Sequence, residues 1–383
     1  MTVTVFSGAS VFDGARLHAD AALVVEDGRV AGIVPPGEAP AGARVRLAGG
    51  VVAPGFVDLQ VNGGGGVMLN GSPDLGGIRT ICAAHARLGT TALMPTLITD
   101  TPEVTRAAVE AGIAAVAEGV PGFVGLHLEG PHLDLRRKGA HDPRLIRPMQ
   151  EADLALLSDA AARLPVVIVT VAPASATLEQ VAALAAAGAI VSLGHSDSTA
   201  TEAGSAFAAG ARMVTHLFNA MSQLGSREPG LVGAALDSGD VSAGLIADAV
   251  HVAPVSIRAA LAAKRGADRI FLVTDAMAVA GTGLDGFELN GRWIARRDGR
   301  LMLADGTLAG ADLDFARAIR VMVREVGITL PQALRMATAA PAAALGRAGR
   351  LGTLAPGMPA DFVHLDPGLA LAGVWRGGAA VAG

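Results

Sequence analysis

The sequence predicts an α/β chain: a (β/α)8 TIM-type barrel with a small β-sandwich domain built from both termini. Three observations point there. Short β-branched runs alternate with Ala-rich helical stretches eight times through the middle of the chain. The flanks hold only short strand-like runs broken by D-G, P-G and G-G turns. And the N-G-G-G-G run at 62–66 is not the G-x-G-x-x-G turn with which a doubly wound open sheet opens its first helix.

Taken in order, residues 1–53 and 346–383 are expected to pair into the small β domain, and residues 54–345 to form the barrel. The eight strands are expected at 55–60, 90–95, 123–129, 166–171, 189–195, 211–216, 242–248 and 270–275. Helices are expected at 102–119, 176–188 and 255–266, the last two starting after Ser or Pro and stopping at Gly. A chain of 383 residues, 51% hydrophobic, suits one large unit plus a smaller one.

Composition excludes several function classes. No run of about 18 uncharged apolar residues occurs, which argues against a membrane span. M-T-V-T-V-F-S-G alternates like a strand and reads as no signal peptide. Cys82 is the single cysteine, so neither a disulfide framework nor a thiolate metal cluster is expected, in keeping with a reducing cytoplasm. The net charge is −5, aromatics are 3% and tyrosine is absent, a poor surface for nucleic acid.

In a parallel barrel, catalytic groups project from the C-terminal ends of the strands. Glu129 ends the third expected strand, His195 the fifth, His216 the sixth and Asp275 the eighth. One histidine at a strand end is more often a capped or solvated residue, and one Asp before a helix more often an N-cap. Four such residues on one rim are harder to ascribe to coincidence. Two imidazoles and a carboxylate, leaving a coordination position open, form a catalytic zinc-type ligand set. His127 shares the side of Glu129 and is expected one layer below the metal; His132 reads as a loop cap.

The segments H-L-E-G-P-H (127–132), S-L-G-H-S (192–196), T-H-L-F-N-A-M (215–221) and L-V-T-D-A-M (272–277) resemble the amidohydrolase superfamily. Within it they look like the N-acetylglucosamine-6-phosphate deacetylase family. The likeness continues in P-G-F-V-D-L-Q-V-N-G (54–63), K-G-A-H (138–141), R-E-P-G (227–230), I-A-D-A-V-H-V (246–252) and R-L-G-T-L-A-P-G-M-P-A-D-F-V (350–363). It implies metal-dependent hydrolysis of the acetamide of a sugar phosphate, with N-acetyl-D-glucosamine 6-phosphate first. The alternatives are another N-acylated substrate, such as N-acetylgalactosamine 6-phosphate, and a non-catalytic scaffold.

The resemblance also assigns residues. Glu129, His195 and His216 would hold the metal, Asp275 would shuttle the proton, and His141 would contact the substrate and polarise its carbonyl. Asn219, Ala220, Arg227, His251 and the segment Leu308, Ala309, Gly310 would bind substrate. Arg227 would reach the neighbouring site of a homodimer.

Many two-metal barrels of this type carry H-x-H on strand 1 and a carboxylated lysine on strand 4. Here strand 1 offers Gln60 and Asn62, and the two lysines, Lys138 and Lys264, lie elsewhere. One divalent ion per subunit is therefore expected, zinc first, with iron, manganese or cobalt accepted by the same donors. Gln60 and Asn62 are left to orient a water or hold a weak second ion. In T-L-A-G-A-D (307–312), Ala309 and Ala311 lack the hydroxyls usual in the family and Asp312 adds a charge, so altered sugar choice is expected there.

Overall fold

In the computed structural model, which describes residues 2–382, eight parallel strands stand side by side in chain order. They are β1 (Phe56–Val61), β2 (Thr90–Ile98), β3 (Leu126–Glu129), β4 (Val167–Val171), β5 (Ile190–Leu193), β6 (Met213–Val214), β7 (Ser242–Leu245) and β8 (Ile270–Leu272). Nearly every strand residue is buried, as expected of a parallel sheet covered on both faces. The sheet closes between β1 and the chain just beyond β8. Asp275 N donates to Gln60 O (3.0 Å), Asn62 N donates to Ala276 O (2.8 Å), and the buried Asp58 carboxylate accepts from Thr274 N and Oγ1.

A helix follows each strand: α1 (Leu75–Arg87), α2 (Pro102–Ala117), α3 (Glu151–Arg163), α4 (Leu178–Ala186), α5 (Ala200–Ala208), α6 (Gly230–Asp237), α7 (Pro254–Ala263) and α8 (Phe315–Val321). Asp74, Thr101, Thr177 and Thr199 start α1, α2, α4 and α5 by accepting backbone N–H bonds, and Thr177 and Thr199 complete capping boxes with Gln180 and Glu202. The helices expected at 102–119, 176–188 and 255–266 are each a few residues shorter. No helix among the described residues is long and apolar enough to cross a membrane.

Strands from both ends of the chain share one six-stranded sheet, in which Phe362–Leu365 pairs with Val51–Pro54 and Leu371–Arg376 lies outside it. A four-stranded sheet from residues 3–46 packs on it through aromatic rings. Phe362 stacks on Trp375 at 4.9 Å, and Phe6 meets both edge-on.

Two features depart from expectation. Strands 5 to 8 stop short, so His195, His216 and Asp275 lie beyond the last residues of β5, β6 and β8. All three have positive φ (46°, 30° and 52°), a turn that breaks the ladder. Between β8 and α8 stands an unforeseen antiparallel sheet, Gly286–Leu289, Arg292–Arg297 and Arg300–Met302. Its apolar face covers Met277, Ala140 and Ile98 beside the barrel mouth.

Candidate active site

At the C-terminal mouth of the barrel lies a cavity of about 380 Å³, within the ~300–1,000 Å³ usual for small-ligand sites. Glu129, His195, His216 and Asp275 all line it, as do Asn62, His141, Asn219, Ala220, His251, Leu308 and Gly310.

Glu129 Oε1 lies 3.1 Å from His195 Nε2 and 3.1 Å from His216 Nε2, and the two nitrogens are 3.0 Å apart. The edge of a tetrahedron with ligand bonds of ~2.0–2.1 Å is about 3.3 Å, so the triangle has the size of a metal's ligand face. Its chemistry agrees. His195 Nδ1 is 2.8 Å from the carbonyl of Arg137, which can only accept, so the hydrogen sits on Nδ1 and Nε2 carries a lone pair. That lone pair confronts a carboxylate and a second imidazole, and a cation fits between the three atoms. Burial would raise Glu129, but its hydrogen bonds and charge contacts with His195 and His216 hold it well below the ordinary value. Burial would lower His216, yet the hydrogen bond and charge of Glu129 raise it. The cluster thus favours positive charge beside the carboxylate.

His141 also brings a ring nitrogen close: Glu129, His141 and His195 each offer a donor atom within 4.8 Å of the others. Its hydrogen bonds argue against ligation. Thr99 N donates to His141 Nδ1 (3.3 Å), with Thr99 Oγ1 at 2.8 Å, so Nδ1 accepts and Nε2 bears the hydrogen. Burial pushes His141 well below its usual range. It is therefore a neutral N–H donor facing the cluster.

The strand-1 amides each hold one carboxylate oxygen. Gln60 Nε2 donates to Glu129 Oε2 (3.1 Å), and Asn62 Nδ2 donates to Asp275 Oδ1 (2.6 Å). Burial, then the charge of Glu129, pushes Asp275 up to about 6. Below the cluster, His127 donates from Nδ1 to Leu59 O and accepts at Nε2 from Thr170 Oγ1 (2.7 Å), which continues to Thr215 and Ser192. His132 is buried against Arg147 O. At the rim, His251 Nδ1 is 2.6 Å from the Asp248 carboxylate, and Asn219 N is spent on His216 O.

Two expectations are corrected. Ala309 does not line the cavity: its N–H donates to Leu301 O and its methyl is buried beneath the inserted sheet. Asp312 adds no charge to the cavity, because Arg296 clamps it from Nε and Nη2 at 2.8 Å on another face, and Ala311 is buried with its N–H on Asp275 O. Arg227, expected to serve a neighbouring copy and not its own chain, is exposed and does not line this cavity; Glu228, beside it in sequence, is occupied by Ala200 N and Gly230 N. Arg136, Arg137, Met277 and Thr307, which no motif assigns to the site, also line the cavity. Arg136 and Arg137 belong to a short basic run, R-R-K at 136–138, whose spacing does not place it at the mouth.

The model of the amidohydrolase family matches residues 51–381. The chain is 42% identical over 376 residues to an N-acetylgalactosamine-6-phosphate deacetylase of Shewanella sp. (strain ANA-3), covering 97% of this chain and 94% of the relative. It is 34% identical to an N-acetylglucosamine-6-phosphate deacetylase of Haemophilus influenzae, covering 93% and 95%. A crystal structure of N-acetylglucosamine-6-phosphate deacetylase from Pasteurella multocida superimposes with a TM-score of 0.94 at 33% identity, covering both chains fully.

Proposed function

Because this chain belongs to the amidohydrolase family, a family of metal-dependent hydrolases, we propose that it removes the acetyl group of N-acetyl-D-glucosamine 6-phosphate. The products are acetate and D-glucosamine 6-phosphate. The observation that carries this reading is the triangle of Glu129 Oε1, His195 Nε2 and His216 Nε2 in one cavity with Asp275.

Those three residues would hold one divalent ion, zinc first. When bound, such an ion acidifies a water and polarises a carbonyl oxygen. Gln60 keeps Oε2 of Glu129 occupied, which leaves Oε1 for the cation. Asn62 likewise holds Asp275 Oδ1, so Asp275 Oδ2 is the oxygen that takes the proton of the attacking water. An amine is too basic to leave as an anion, and Asp275 returns that proton to the acetamide nitrogen as its C–N bond breaks. His141 donates its Nε2 hydrogen to the acetamide oxygen as negative charge gathers there.

The phosphate needs cationic donors from a chain of net charge −5. His251 lines the cavity and Arg227 does not, so we assign Arg227 to the cavity of a second copy in a homodimer. The 42% identity to the Shewanella enzyme favours a second reading with the galactosamine epimer as substrate. Acetate release after metal reconstitution tests both. The glucosamine reading expects the 6-phosphorylated N-acetylglucosamine to turn over fastest and unphosphorylated sugars poorly. Faster release from the galactosamine epimer would establish the second reading, and no release from either phosphorylated sugar would refute both.

A further inference from the structure

Two carboxylates paired with the cavity-lining Arg136 and Arg137 take no part in the chemistry above, yet they brace the chain around His195. Asp134 N donates to His195 O (2.9 Å). The buried Asp134 carboxylate caps the turn Leu135–Arg137, accepting from Arg136 N (2.9 Å), Arg136 Nη2 (2.8 Å) and Asp197 N (3.3 Å). Asp197, in the loop that follows His195, accepts on Oδ1 from Arg137 Nε (2.8 Å) and Nη2 (2.7 Å). Its Oδ2 lies 3.2 Å from Arg136 Nη1. The turn and the loop are thereby clasped together, and inside the clasp Arg137 O takes the Nδ1 hydrogen of His195.

We propose that Asp134 and Asp197 are positioning residues that hold the Arg137 carbonyl on His195 Nδ1, and so set the tautomer and direction with which His195 Nε2 meets the cation. The inference rests on the reading of Glu129, His195 and His216 as the ligand set. His195 needs such support, because a non-glycine residue at φ 46° keeps that conformation only when its surroundings impose it. Partners of this kind behind a metal-binding imidazole are worth about 10- to 100-fold in metal affinity.

A rival account is charge alone: an acidic residue near a cation site attracts the cation without positioning anything. Arg137→Ala separates the two, since it removes a positive charge but keeps the backbone carbonyl. Attraction by charge predicts tighter binding in Arg137→Ala and weaker binding in Asp197→Ala. Positioning predicts weaker binding in both.

The experiment titrates zinc into full-length wild type, Asp134→Ala, Asp197→Ala, Arg137→Ala, the Asp197→Ala/Arg137→Ala double variant and Asp197→Glu against a chromophoric chelator. We expect each alanine variant to lose about tenfold or more in zinc affinity. The double variant should lose no more than the weaker-binding single, because both break one clasp. Asp197→Glu should recover part of the loss. Should Asp197→Ala not fold, Arg137→Ala alone decides by its sign. Unchanged or tighter zinc binding in Arg137→Ala, or additive losses in the double variant, would overturn the inference. A wild-type chain that takes up no zinc would overturn the ligand-set reading itself and this inference with it.

Discussion

His195, His216 and Asp275 share an uncommon backbone conformation at positive φ, which costs of order 1–3 kcal/mol per non-glycine residue. Each lies just past a barrel strand, and each has a hydrogen-bonding neighbour that holds it: Arg137 O for the ring of His195, Asn62 for the carboxylate of Asp275, and Asn219 N, which donates to His216 O, for the turn at His216. Asp275 carries the proton in this account and coordinates nothing. Asp275→Asn should therefore keep its metal and fold while kcat falls about 10²- to 10⁴-fold. Metal content measured beside steady-state acetate release checks this, and wild-type turnover in that variant would remove Asp275 from the role. At this scale the sequence was informative, because a carboxylate, two imidazoles and an acid at four strand ends have few structural uses together. The tautomers of His141 and His195 were not legible, since they depend on Thr99 and Arg137, whose approach is a tertiary fact.

Between elements, the seam that closes the barrel is made of side chains as well as backbone. Burial pushes the Asp58 carboxyl up to about 7, against the hydrogen bonds of Thr274 and Gln60 N that pull it down. Its folded pKa thus exceeds the unfolded value of about 3.9, and the folded state binds the proton more tightly. The stability it contributes is present below about pH 4 and is lost as pH rises toward 7. Thermal melts of wild type should show that slope and Asp58→Asn should flatten it; an identical slope in both would refute the assignment.

Gly130 closes β3 at φ 91°, and a Cβ there would lie 2.2 Å from Thr99 Oγ1, the group that orients His141. Gly130→Ala should cost about 1–3 kcal/mol of stability and lower kcat, as urea unfolding and turnover would report. The strand and helix alternation was legible from periodicity. The inserted sheet was missed although its turn signals stood in the sequence: N-G at 290–291 and D-G at 298–299 have positive φ at both residues, as hairpin turns require. Strong barrel periodicity on both sides outweighs these turn signals in the sequence. The surroundings of Ala309 and Asp312 depend on that sheet, since its residues Leu301 and Arg296 hold them.

Across the whole molecule, pairing of the two chain ends in one sheet was foreseeable because both flanks lacked helices. No pattern in one chain tells which surface meets a second copy. The proposed homodimer can be tested without a structure. If Arg227 serves the neighbouring cavity, Arg227→Ala and Asp275→Asn chains should each be impaired alone. Refolded together at random, they should regain about a quarter of wild-type sites, those pairing an intact Asp275 with an intact Arg227 from the other chain. No regain would place Arg227 outside the neighbour's site.

Everything in the chemistry depends on Glu129, His195 and His216 gripping one cation, and elemental analysis of metal-loaded protein addresses that most directly. Wild type should hold one divalent ion per chain, and Glu129→Ala should hold none and release no acetate while its circular dichroism stays that of the folded barrel. A folded Glu129→Ala chain retaining a full equivalent of metal would contradict the account.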